Sequence, residues 1–146
     1  MKQTYLFIII LSIVCSSLFA QEKKTTLELL KSHTWRTEDQ KDYAKFDNNY
    51  YYMYHDREDI GLENFSHKYS YHLTDNIVYN DRKIVQIDPN LVGKTTEGKY
   101  LVIPGVAYRI DEISETSLIL FPVGRTGAKI QKYKPYAGPL PGGFPQ

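Results

Sequence analysis

Cysteine is almost absent from this chain: Cys15 is the only one among 146 residues. That count excludes a disulfide framework, and it excludes a thiol nucleophile as well if residue 15 leaves with a leader. An excess of either charge is also lacking, with 18 Lys and Arg against 17 Asp and Glu. Lys2 is the one charged residue before Glu22, so residues 21–146 are formally neutral. Nucleic acid and anionic membrane surfaces select a basic excess, and neither is expected as a partner. Missing too are long helical periods, a Gly-x-Gly turn entering a helix, a Gly-x-Ser-x-Gly elbow and a compact zinc signature. These absences leave βαβ crossovers, nucleotide binding, serine hydrolysis and structural zinc without support. No cofactor is implied.

One long apolar run is present. Tyr5–Val14 (YLFIIILSIV) is an uncharged run of ten that follows Lys2, and Ser16-Ser17-Leu18-Phe19-Ala20 leads from it to a charged continuation at Gln21. A basic start, a short apolar centre and a small exit residue describe a secretory signal peptide. The run is shorter than the roughly 20 apolar residues that cross a bilayer, so stable membrane insertion is not expected. Residues 1–20 therefore read as a leader, and the mature chain begins at Gln21 in the periplasm or outside the cell. Lipid anchoring through Cys15 is the less favoured reading, because Val14 stands where lipoprotein processing uses a smaller residue.

Residues 21–136 have the size of one domain, large enough to hold a core without cross-links. Thr25-Thr26-Leu27-Glu28 has the capping-box form, which predicts a helix of about two turns over 26–32. The period then changes to two. Strands are expected at His33–Asp39, Asn48–His55, Phe65–His72, Asn76–Tyr79, Arg82–Asp88, Lys99–Ile103, Val106–Ile113, Ser117–Val123 and Ala128–Lys134. Asn80-Asp81, Pro104-Gly105 and the Gly124/Gly127 pair mark turns between them. Short strands at intervals of about ten residues predict an all-β, antiparallel up-and-down barrel of about eight strands with a short N-terminal helix. Gly138–Pro145, rich in Pro and Gly, cannot pair well in a sheet, and 137–146 reads as a flexible tail.

Tyrosine is the compositional anomaly, at 13 residues. It suits half-buried pleated surfaces and also makes amphipathic binding walls. Phe65, Tyr69 and Tyr71 alternate with polar residues, and with Tyr52 and Tyr54 they are the expected lumen face. Tyr108, between Val106 and Ile110, joins them, and Leu118 with Leu120 completes the set. Trp35, at the opening of the first strand, is the expected plug beneath the helix. The nearest thing to a catalytic or metal constellation is His55 with Asp56 and Asp59, followed by His67 and His72. A histidine base near neutral pH would need one of those acids beside it, and the odd spacing of His67 and His72 places them on opposite strand faces. No metal site and no catalytic residue is assigned.

Leu27-Glu28-Leu29-Leu30 before Trp35, then Gly98-Lys99-Tyr100, Tyr108–Ile113 and Ser117–Leu120, occur in an order that resembles the lipocalin-like (calycin-type) domains of small secreted bacterial proteins. The resemblance spans about residues 26–136. His33 stands where lipocalins proper have Gly two residues before the Trp, and Asn76 replaces Tyr after Thr74-Asp75. The resemblance implies an eight-stranded barrel able to hold a small apolar molecule. The expected function is non-catalytic binding of a small hydrophobic or amphipathic ligand. The alternative is a protein-interaction module, such as an enzyme inhibitor or envelope component, using an exposed Tyr50–Tyr54 strand.

Overall fold

The computed structural model describes residues 23–57, 60–124 and 127–140, and not the side chain of Phe65. Residues 1–20, expected to be a leader, Asp59 and the residues beyond Leu140 lie outside the described residues. Helix α1 (Thr26–Lys31) is followed by nine strands: β1 (Thr34–Thr37), β2 (Asp42–Phe46), β3 (Tyr50–His55), β4 (Phe65–Ser70), β5 (His72–Thr74), β6 (Tyr100–Ile103), β7 (Val106–Ile113), β8 (Leu118–Val123) and β9 (Gln131–Tyr136). All neighbouring pairs are antiparallel, in the order β4-β3-β2-β1-β9-β8-β7-β6-β5. The first and last strands pair through Thr34↔Tyr136 to Thr37↔Tyr133. β4 and β5 are separated by Tyr71 alone, so the two ends of the sheet are halves of one bent strand. The result is a nearly closed antiparallel barrel with one short helix, as the strand spacing predicts.

Each local element follows from its residues. Thr25 caps α1: its hydroxyl accepts from Glu28 N (3.2 Å), and the Glu28 carboxylate accepts from Thr25 N (2.7 Å). Leu27 and Leu30 are the helix's buried face, and they meet Trp35, which is fully enclosed. The indole Nε1 donates to Leu30 O at 2.9 Å, so the polar edge of the largest side chain is satisfied as it is buried. Leu27 N donates to Thr96 O (3.0 Å), tying the helix over the same end of the barrel as the entry to β6.

Alternation divides the wall into two aromatic populations. Ala44, Phe46, Tyr51, Tyr71, Leu101, Tyr108, Leu118, Leu120 and Tyr133 build the central core with Trp35. Phe46 stacks on Tyr51 with ring centres 4.7 Å apart and meets Tyr71 edge-on at 5.7 Å. The buried hydroxyls find partners, Tyr71 donating to Asp47 O (2.7 Å) and Tyr51 meeting Tyr133 (3.4 Å). On the opposite face of β2 and β3, Tyr43 and Tyr54 pack with Tyr52, Tyr136 and Leu140. In β7 the register shifts between Ile110 and Glu112. That bulge lets Ile110 and Ile113, at odd separation, both pack on the core.

The strand expectations change in four places. Asn76–Tyr79 and Arg82–Asp88 do not form strands: they are the arms of a small turn around Asn80-Asp81, joined by the single bridge Tyr79↔Val85. Only Val85 of that turn is buried, while Val78, Tyr79 and Ile84 are exposed, so no alternating buried face extends the ladder. β2, by contrast, was not anticipated, because Asp42 and Ala44 occupy positions on its inner face and weaken the apolar alternation. The last strand runs later than expected, over Gln131–Tyr136.

Trp35→Ala is expected to cost about 3–5 kcal/mol in urea unfolding, from lost burial and the cavity left under α1. Gly98→Ala is also expected to destabilise, since a Cβ there collides with the backbone nitrogen of Thr74. Lys45→Ala, on an exposed position of β2, serves as the control and should stay within about 0.5 kcal/mol.

Candidate functional site at the open mouth of the barrel

α1 closes one end of the barrel; the other end stays open for a reason rooted in β8. Pro122 offers no backbone N–H, and the β8–β9 ladder stops at Leu120↔Gln131. Beyond it the chain leaves the wall and returns at Ala128–Ile130. A cavity of about 410 Å³ lies there. Its apolar surface comes from Val106, Tyr108, Pro122 and Ile130, and its polar surface from Glu38, Asp39, Asp42 and Gln131 together with Lys129 and Lys132, so both charge signs meet there. That volume is at the small end of the range for ligand pockets.

The polar side is built by the β1–β2 turn. Gln40 adopts a left-handed backbone (φ 65°), an uncommon state for a non-glycine residue, and its N–H donates to Thr37 O at 2.9 Å. The Thr37 hydroxyl donates to Asp39 Oδ1 (2.6 Å) and accepts from Asp42 N (3.0 Å). Donation by Thr37 is the main cause holding the Asp39 carboxyl below its ordinary range, against an opposing contribution from burial. At neutral pH the mouth thus presents a fixed carboxylate. On the far wall, Gln131 Oε1 accepts from Tyr133 (3.1 Å), whose hydroxyl also meets Tyr51. Burial pushes the phenols of Tyr51 and Tyr133 well up, so both remain neutral hydrogen-bonding groups.

The sequence-derived site residues are scattered by this geometry. Tyr108 lines the mouth. Tyr71 is buried in the core and the partly buried Tyr69 packs against it, and neither is among the described residues lining the cavity. Tyr52 and Tyr54 belong to the other aromatic cluster, with Tyr43 and Tyr136. The pairs Tyr51↔Tyr69 and Met53↔His67 show which face β3 shares with the inner face of β4. It is therefore Tyr51 and Met53, one residue out of step with Tyr52 and Tyr54, that pack on the core. Tyr51 is fully buried, so the exposed Tyr51/Met53 patch needed by the interaction reading is not formed. Trp35 sits at the opposite end, under α1. Asp39, Asp42 and Gln131 were not anticipated. Their one signal in the sequence is their place beside turns, next to the ends of alternating runs.

Two of the histidines come together beside an acid, and the other two stand apart. His55 Nδ1 lies 2.7 Å from Asp42 Oδ1, and its ring centre is 6.1 Å from that of His67. Neither imidazole is among the described residues lining the mouth, although Asp42 is. His33 meets Glu115 at 3.2 Å near the helix end. His72 is buried on the opposite face of the β5–β6 wall from the core. Among the described residues no three His, Cys, Asp or Glu are grouped as a metal site requires, and no helix is long and apolar enough to cross a membrane.

No protein-family model matches the chain, and no curated protein or solved structure matches it.

Burial lowers the pKa of His72, with Asp88 pulling weakly the other way. An unfolded histidine binds its proton near pH 6.5. As pH falls below that value the unfolded chain takes up a proton that folded His72 resists, so stability should decline through this window. A thermal melt series between pH 7.5 and 5 is expected to show that decline, and His72→Asn should flatten it.

Proposed function

We propose that this chain is a non-catalytic binding protein that works outside the cytoplasm and takes a small amphipathic ligand in the open mouth of its barrel. One observation carries the reading: a mouth of about 410 Å³ that sets Val106, Tyr108, Pro122 and Ile130 beside a charged rim of Glu38, Asp39, Asp42, Lys129 and Lys132. The core beneath is filled by Tyr51, Tyr133, Leu118 and Leu120, so the ligand rests in the mouth and does not thread the barrel. Its apolar part packs on Val106, Tyr108 and Pro122, while its polar end meets Asp39, Asp42 or Gln131. Export is supported by the leader-like residues 1–20, and carriage by the resemblance to lipocalin-like domains. A barrel by itself does not assign a function, so the lining of the mouth has to carry the argument.

The alternative, a protein-interaction module, draws on a different surface. On the non-core face of β3 and β4, Lys68 Nζ stands 3.8 Å over the ring of Tyr50 and 5.5 Å from that of Tyr52. These half-buried aromatics and the cation could meet a partner protein, as Tyr-rich paratopes do.

Native mass spectrometry of protein purified from its source is expected to show a co-purifying small molecule. Tyr108→Ala should weaken its retention by about tenfold or more, the scale of losing one buried aromatic contact. Tyr52→Ala should leave retention unchanged. Absence of any bound molecule, together with loss of a protein partner in Tyr52→Ala or Lys68→Glu, would replace the carrier by the interaction module.

A further inference from the structure

The connection from β5 to β6, residues 75–99, is folded back against the wall of the barrel. Val85 anchors it: it is buried against Val102 and Ala107, and its carbonyl accepts from Gly105 N at 3.2 Å. Gln86 N donates to Val78 O (2.8 Å), and Asn80 Oδ1 accepts from both Arg82 N and Ile84 N, so the outer arm holds its own shape. The returning arm is set by Asp88, whose Oδ1 accepts from Asn90 N (2.9 Å) and whose carbonyl accepts from Leu91 N. Between these arms and β5 lies a second cavity, about 370 Å³.

His72 forms part of its wall. Only 4% of this residue is exposed, yet its Nδ1 is enclosed with no hydrogen-bond partner. That nitrogen lies inside the wall, out of reach of solvent, so the cavity meets the rest of the His72 residue and not its orphan atom. Among the described residues Asp88 is the only charged one lining the cavity, and its Oδ1 accepts from Asn90 N. No Lys or Arg among the described residues lines it. Val78, Ile87, Pro89 and Leu91 supply most of the remaining surface. An anion would meet an uncompensated carboxylate here. A divalent metal would find one histidine and one carboxylate, too few for a protein-held site.

We propose that this lateral cleft, separate from the mouth, binds a small organic ammonium, with its charged head between Asp88 and His72 and its apolar body against Val78, Ile87 and Leu91. Asp88 supplies the counter-charge, and His72 forms the wall beside it. The apolar lining rewards an alkyl or aromatic body over ammonium ion itself.

The test is an NMR titration of the isotope-labelled mature chain with phenethylammonium chloride, and in parallel with sodium phenylacetate, at matched ionic strength. Saturable shifts are expected at the His72 ring and at the amides of Thr74, Asp88 and Leu91 with the ammonium alone. Asp88→Asn keeps the oxygen that accepts from Asn90 but removes the charge, and should weaken binding by about tenfold, the scale of one charge-assisted contact. The spectrum of that variant reports directly whether the fold is kept, and Ile87→Ala offers a second, uncharged test of the apolar wall. Equal shifts with phenylacetate, undiminished binding in Asp88→Asn, or no shift up to high millimolar ammonium would each overturn the proposal. Shifts confined to Tyr108 and Gln131 would overturn it while leaving the mouth as a ligand site.

Discussion

Closure of the wall is the constraint on which the rest of this molecule depends. Without closure these nine short strands would form two sheets with four edges of unpaired backbone groups. Here one edge problem is solved by pairing β1 with β9 along the whole of β1. The other is solved by making both remaining edges parts of the same strand, bent at Tyr71. Tyr71 pins that corner twice, through its N–H to Asn49 O (3.1 Å) and its hydroxyl to Asp47 O (2.7 Å). Its ring meanwhile contacts Phe46 inside the barrel. A single side chain thereby couples the turn between β2 and β3, the bend of the wall and the packing of the core.

With the wall closed, the two ends of the barrel acquire opposite characters. At one end α1 and Trp35 seal the interior, and the indole's single donor is absorbed by the helix's own carbonyl at Leu30. At the other, Pro122 and the turn at Gln40 keep strands apart and hold carboxylates at the rim. The middle is filled by leucines and by tyrosines, among them Tyr51, Tyr71 and Tyr133, whose hydroxyls meet one another or the backbone. Such a core is dense in hydrogen bonds that require partners, which makes it specific about which tyrosine faces in. The wall's outward aromatics are also engaged: Arg36 lies 5.3 Å from the ring of Tyr43 and 5.0 Å from that of Tyr136.

Much of the wall is legible from residue order. The capping box at Thr25, the strand Val106–Ile113 and the turn at Pro104-Gly105 are local signals, each set by a few neighbouring residues. Legibility fails where the deciding contact is distant. Residues 76–88 have the alternation of strands, but they lie on a surface that buries only Val85. β2 has Asp42 and Ala44 on the inner face, and it is a strand because it bridges β1 and β3, not because of its own apolar pattern.

The amino-acid sequence determined the fold class, because period-two alternation and turn residues at short spacing admit few compact solutions other than an antiparallel barrel. It also determined that a helix with two buried leucines would precede a lone tryptophan. What only the tertiary structure decided is which tyrosines face inward and where the cavities lie. In a run such as Tyr50-Tyr51-Tyr52-Met53-Tyr54 either face is apolar enough to be buried, so composition cannot choose between registers one residue apart. The choice is made by the pairing of Tyr51 with Tyr69 and by the meeting of Tyr51 and Tyr133 across the barrel. The mouth and the lateral cleft arise in the same way, from places where Pro122 ends a ladder and where the long connection folds back over His72.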